Sequence, residues 1–155
     1  MRRQGGSMLD HLSIPVSDLG RSRRFYGQAL RPLGYELVKN MKFAVSFGVL
    51  TGYGCSSDPG GEFWIFHGEV LTRPRVHFAF SVASQEHVDA FFAAAIAAGG
   101  VDNGQPGLRT QYHPNYYAAF VRDPDGYNVE AVYHRTDDGR RVCRPFDDFP
   151  AQCQI

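Results

Sequence analysis

The chain repeats itself. Laid on itself at a spacing of 66 residues, His11 falls on His77, Phe25 on Phe91, Tyr26 on Phe92, Ala29 on Ala95 and Gly34 on Gly100. One constant shift thus matches a strand histidine, a helix aromatic pair and a helix-ending glycine, more than coincidence supplies. A unit of this length leaves one face of its sheet open when alone, so the copies must cooperate to form a complete body. The same spacing sets Trp64 on Glu130. Asp58-Pro59-Gly60-Gly61 matches Asp123-Pro124-Asp125-Gly126 at 65, so the last strands align only to within one residue.

Within each copy the hydrophobic period changes in the same order. From Leu9 to Val16 the residues alternate, with Leu12, Ile14 and Val16 on one face and His11, Ser13 and Pro15 on the other. That is a strand with one apolar face. Ser17-Asp18 offers helix N-cap chemistry, and the helix runs to about Leu30, ended by Pro32 and Gly34. Strands follow at Tyr35–Val38, Phe43–Leu50 and Glu62–Phe66, with a Gly/Ser-rich loop over Thr51–Gly61. The second copy opens with an alternating strand, Arg75–Val82, then a helix capped by Ser84 and ended by Gly99-Gly100. Strands at Tyr116–Arg122 and Tyr127–His134 flank the Asp-Pro-Asp-Gly turn. The expected fold is α+β: two βαβββ modules making a cupped mixed sheet, helices outside and a ligand on the concave face.

Length and composition set the limits. The 155 residues suit one domain, expected over residues 8–135, with module one at 8–70 and module two at 74–135. Residues 1–7 read as a disordered extension and 136–155 as a C-terminal tail. The formal net charge is zero, which leaves no electrostatic footprint for nucleic acid or an anionic membrane and little repulsion against self-association. No apolar run reaches the ~18 residues of a membrane span, and no apolar segment follows the basic start. Cys55, Cys143 and Cys153 form no CxxC pair, which argues against a disulfide framework and for a reducing cytoplasm.

Three residues are candidates for chemistry. His11 and His77 occupy one position in equivalent strands, opposite the apolar face that the helix covers, so both imidazoles should look into the cup. Glu130, with Asn128 and Val132, lies on the face opposite Val129 and Ala131. Two imidazoles and a carboxylate with open positions form a divalent-metal site for Fe, Mn, Ni, Co or Zn. A lone strand histidine is ordinarily a hydrogen-bonded structural residue; the repeated placement gives the metal reading its weight. Glu130 has the alternative of fixing His77 or an arginine.

A second cluster, Arg109, Tyr112, His113, Tyr116 and Tyr117, leads into the strand before the turn. It reads as a substrate rim, with Arg109 a fork for a carboxylate or phosphate and His113 or Tyr116 an acid/base. The competing reading is a loop whose aromatics pack on the core or on a partner chain. Trp64 reads as pocket lining, Cys55 as an idle thiol, and Arg21, Arg23 and Arg24 as a solvated helix face.

Asp10-His11-Leu12-Ser13-Ile14-Pro15-Val16, Ser22-Arg23-Arg24-Phe25-Tyr26 and Leu33-Gly34-Tyr35 resemble the first module of vicinal oxygen chelate proteins, the glyoxalase/bleomycin resistance protein/dioxygenase family. Val76-His77-Phe78-Ala79-Phe80 and Asp123-Pro124-Asp125-Gly126-Tyr127-Asn128-Val129-Glu130 resemble the second. The resemblance covers about residues 8–135. It implies metal ligands from the first and last strands of each module: His11, His77 and Glu130, with Trp64 in the fourth place. Glyoxalase I enzymes carry a carboxylate there, which Trp64 cannot replace; Glu62 is the nearest substitute. Extradiol dioxygenases use two histidines and one glutamate. The resemblance therefore implies a divalent-metal-dependent lyase, isomerase or dioxygenase acting on a small oxygen-rich substrate, and a homodimer, in which modules are exchanged in some members. The rival it leaves open is a metal-free, antibiotic-type binding or resistance protein using the same cup. A scaffold without activity is the third.

Overall fold

The structure, a computed structural model, describes residues 9–50 and 59–134. The terminal extension, the loop with Cys55 and the tail with Cys143 and Cys153 lie outside the described residues. Module one contains β1 (Leu12–Val16), α1 (Leu19–Ala29), β2 (Tyr35–Asn40), β3 (Ala44–Val49) and β4 (Phe63–His67). Module two contains β5 (His77–Ser81), α2 (Gln85–Ala97), β6 (Val101–Leu108), β7 (Tyr116–Arg122) and β8 (Asn128–His134). Each forms its own four-stranded mixed sheet, in the orders β1-β4-β3-β2 and β5-β8-β7-β6.

The two sheets have equivalent registers. Leu12 stands opposite Phe63 in the parallel β1–β4 pair, and Phe78 opposite Val129 in β5–β8. Both partners have moved by 66, so the uncertainty of one residue disappears and Trp64 is the counterpart of Glu130. The third strands differ: Phe47 pairs with Phe63, but Val121 pairs with Val129, a shift of 74. Module two spends the extra residues on a longer β6–β7 hairpin, 109–115 against 41–43. It recovers them in a shorter turn before β8, 123–127 against 50–62.

α1 lies on β2, β3 and β4, α2 lies on β6, β7 and β8, and the helices pack on each other. Asp18 caps α1 by accepting from the Arg21 amide at 2.8 Å, a bond that lowers its carboxyl below the ordinary range. Ser84 stands at the N-cap of α2, but its hydroxyl bonds His87 Nδ1 at 2.9 Å and caps no amide. One core joins the modules. Phe63 is buried and meets Tyr26 at 4.8 Å between ring centres, with Phe78 and Phe80 each at 5.5 Å. Gly100 lies where an added Cβ would stand 2.5 Å from Val121 Cγ1, so α2 reaches its sheet there only without a side chain.

Two features go beyond the sequence reading. β6, which carries Gly104, Pro106 and Gly107, was given no bounds from sequence. It is an edge strand broken by register shifts on either side of Gly104, where proline costs no central ladder bond. The Asp-Pro-Asp-Gly turn, read as a tight turn only, also clasps the modules. Asp123 Oδ1 accepts from the amides of Asp125 and Tyr127, both at 2.9 Å, and its Oδ2 accepts from Tyr26 Oη at 2.5 Å. Asp125 accepts from Ser17 Oγ at 2.5 Å, Ser17 N at 3.0 Å and Arg21 at 2.7 Å. Arg21 is therefore an inter-module anchor rather than part of a solvated face.

Candidate functional site

In module two the helix and Phe63 of module one cover the face carrying Phe78, Phe80, Val129, Ala131, Val121 and Ala119, all but Phe78 buried. Strand alternation then turns His77, Glu130, Phe120 and Tyr116 to the opposite, open face. The ladder sets Ala79, Glu130 and Phe120 in one row across β5, β8 and β7. Into that row lean Tyr116 from β7 and His77 from the start of β5.

The centre is Glu130, whose side chain is 1% exposed while that of His77 is 49% exposed. Glu130 Oε2 lies 2.9 Å from His77 Nε2, and Oε1 accepts from Tyr116 Oη at 2.5 Å. A buried carboxylate needs this pairing, since removing it from water unpartnered is costly. Burial, then the bond to Glu130 and its charge, push the Tyr116 hydroxyl well above the usual tyrosine range. Tyr116 therefore stays a phenol near neutrality and acts as a donor, not a base.

His113 and His134 stack at 5.1 Å, with His113 Nε2 2.9 Å from His134 Nδ1. His113 Nδ1 accepts from the Asn115 amide at 3.2 Å, which by elimination leaves the proton of a neutral ring on Nε2. Both nitrogens of His113 are thus engaged. Burial lowers the affinity of His113 for a proton, and burial together with the neighbouring His113 lowers that of His134. The pair is a neutral shelf beside Tyr116, which lies 5.3 Å from His113 and 5.0 Å from both His134 and Tyr112. Arg109 lies over Phe120, with Cζ 5.5 Å from the ring centre, and the same ring lies 5.9 Å from that of His77.

The structure therefore gathers His77, Glu130, Tyr116, Tyr112, His113 and Arg109 on one face. It sets three sequence candidates elsewhere. Tyr117 turns to the helix and donates to Asp89 Oδ1 at 2.8 Å, because it sits one strand position out of phase with Tyr116. Trp64 lies half-buried in module one, opposite Ser13, with its indole N–H given to Gly61 O at 3.0 Å. His11 precedes β1, is 55% exposed and pairs with Asp10 at 2.8 Å. Glu62 accepts the Tyr35 hydroxyl. Among the described residues no three His, Cys, Asp or Glu side chains converge as a metal-holding group. Sequence reasoning did not single out His134 or Phe120. Equal alternation with Glu130 along β8 was the available signal for His134.

The comparisons agree with this architecture. The model of the Glyoxalase/Bleomycin resistance protein/Dioxygenase superfamily matches residues 8–131. Among solved structures, a glyoxalase/bleomycin resistance protein from Albidiferax ferrireducens T118 is 32% identical, with 83% of this chain and 100% of that chain covered and a TM-score of 0.62. A putative glyoxalase from Bacillus halodurans is 27% identical, covering 84% of this chain and 96% of that chain, with a TM-score of 0.56. A family enzyme from Burkholderia phytofirmans PsJN, 20% identical over 83% of this chain and 100% of that chain at a TM-score of 0.60, shares the fold. No curated protein matches the chain. Repeat, paired sheets and matched motifs together lead to one assignment: the chain belongs to the glyoxalase/bleomycin resistance protein/dioxygenase superfamily.

Proposed function

We propose that this chain is a divalent-metal-dependent enzyme of its family, a lyase, isomerase or dioxygenase that works on a small oxygen-rich substrate at the open face of module two. The observation that carries the reading is the His77–Glu130 pair. These two side chains would hold such an ion through an imidazole nitrogen and a carboxylate oxygen, a donor pair that suits divalent metals. His77 Nε2 and Glu130 Oε2 stand 2.9 Å apart. The donor set of one imidazole and one carboxylate fits a first-row divalent ion but needs a third donor. Trp64 supplies none, since its indole offers only a hydrogen. His11 supplies it if a second copy of the chain lays β1 beside β5, since each strand stands at the edge of its own sheet.

When bound, a divalent ion supplies Lewis acidity to two neighbouring substrate oxygens. The protein's own groups do the rest. Tyr116 holds Glu130 in place through Oε1 and leaves Oε2 for the site. Tyr112 and the His113–His134 shelf form an aromatic wall against which a flat substrate packs. The cysteine pattern agrees with a reducing, cytoplasmic setting. Protein purified without chelators and then reconstituted should carry about one divalent ion per chain, lost in His77→Ala and in His11→Ala. Failure of the wild type to take up any ion ends the metal reading.

A metal-free binding protein is the second reading, and a specific observation favours it. The Tyr116–Glu130–His77 chain satisfies both carboxylate oxygens without an ion. Under that reading Glu130 fixes the imidazole, leaving His77 Nδ1 toward the ligand. Ligand affinity unchanged by His11→Ala and by chelation would favour it.

A further inference from the structure

The geometry points to Arg109 as a built receptor for a carboxylate, so the ligand of this face is a carboxylic acid with an apolar or aromatic body. This deepens the small-molecule site proposed above and rests on it. Arg109 is half-buried, and its guanidinium is fixed in three ways. Its Cζ lies over the Phe120 ring, 5.5 Å from the ring centre, NH2 donates to Gln105 O at 2.5 Å, and NH1 donates to Leu108 O at 3.4 Å. The strand beneath is cut away to admit it. A Cβ at Gly107 would stand 3.1 Å from NH1, and one at Gly104 would stand 3.4 Å from NH2 and 3.0 Å from Phe120 Cδ2. Gly104 also has φ +150°, which L side chains rarely adopt. The two glycines of β6 thus form the trough in which the arginine lies.

Arg109 is held in place by carbonyls and a ring, with no acid in ion-pair reach among the described residues. The ion pairs of the described residues join His11 to Asp10, Arg21 to Asp125 and His77 to Glu130, and none involves Arg109. Two backbone carbonyls occupy two of its five N–H groups, leaving enough donors for a bidentate carboxylate. Because the side chain is held already, little rotamer entropy remains to be lost on binding. The position suits the chemistry too. Phe120 touches both the guanidinium and the His77 ring, so one small molecule can reach Arg109 with its carboxylate and His77 with its other end. Tyr112 and Tyr116, tilted against each other with ring centres 5.0 Å apart near the same hairpin, offer apolar surface to its body. A single guanidinium matches the charge of a monoanion better than that of a phosphate dianion.

The test compares matched probes on the full-length chain by titration calorimetry: benzoate, benzamide and phenylphosphonate, each with and without chelator. Wild type should bind benzoate at millimolar concentration or below, at least about tenfold more tightly than benzamide or phenylphosphonate, whether or not chelator is present. Arg109→Gln should bind acid and amide alike, Arg109→Lys should retain part of the preference, and Gly107→Ala should weaken it by disturbing the trough. Circular dichroism of each variant checks the fold, and Arg109→Lys keeps the question answerable if Arg109→Gln does not fold. No acid binding, equal binding of acid and amide, a preference for the phosphonate, or a preference that survives Arg109→Gln overturns the proposal. A preference abolished by chelator also overturns it, by assigning the anion to a bound ion. That outcome would leave the metal reading standing, whereas an ion-free protein that still prefers the acid would separate the two the other way.

Discussion

At the scale of single residues, the molecule concentrates its polar burial at two acids with opposite tasks. Glu130 serves the open face and Asp123 serves the junction between modules. Asp123 is 3% exposed and accepts from Tyr26, Asp125 and Tyr127, yet burial outweighs those bonds and raises its carboxyl above the ordinary range. The sign follows from linkage. Because the folded value lies above the unfolded one, the folded chain binds the proton more readily, and stability from this group is greatest below about pH 4. It is lost as pH rises through the raised folded value. Asp123→Asn keeps an acceptor for the two turn amides and an amide group against Tyr26, and cannot ionise. Its urea midpoint relative to wild type should therefore improve between about pH 4 and about pH 7. A difference that stays constant, or moves the other way, would mean the three hydrogen bonds outweigh burial.

At the scale of elements, the Asp-Pro-Asp-Gly turn carries more than its sequence suggests. Ser17 and Arg21 come from the loop before α1 and its first turn, and both end on Asp125, whose side chain is 4% exposed. Asp125→Ala should cost about 1–3 kcal/mol, because it strands the Ser17 amide and hydroxyl and frees Arg21. Chemical denaturation measures it, and a loss no larger than that of an exposed-surface alanine would show the clasp to be ornamental. The elements differ in how far the sequence revealed them. β1, β5 and both helices were legible because period-2 alternation and cap-to-glycine spans are local signals. The His11–His77 spacing also foretold the strand register, since Leu12–Phe63 and Phe78–Val129 keep the same shift. β6 was not legible: two glycines and a proline erase its propensity, and its strand state comes from pairing with β7. Tyr117 was misplaced for a related reason. Adjacent tyrosines in a strand point to opposite faces, and only the pairing of β7 with β8 fixes which one joins Glu130.

At the scale of the whole molecule, one chain is internally closed at its helices and open at its sheets. The core runs through both modules, while β1 and β5 end their sheets as edges and Phe66, on the open face of module one, is 39% exposed. Proteins cover such edges, and a second copy related by a twofold axis can cover both at once by setting β1 of each chain against β5 of the other. That joint is also what the metal reading requires, because it brings the repeat-related His11 and His77 from different chains to one site. Subunit mixing tests the arrangement. His11→Ala dimers lack one ligand at both sites and His77→Ala dimers lack another, so neither alone should retain ion or activity. Mixed and allowed to exchange, half the dimers are hybrids, and each hybrid has one site with both histidines intact and one with neither. About a quarter of wild-type metal content should return. If both histidines instead met within one chain, every site in every dimer would lack one of them and mixing would restore nothing. A wild-type chain that sediments as a monomer at all concentrations would remove the joint itself, and the third donor with it.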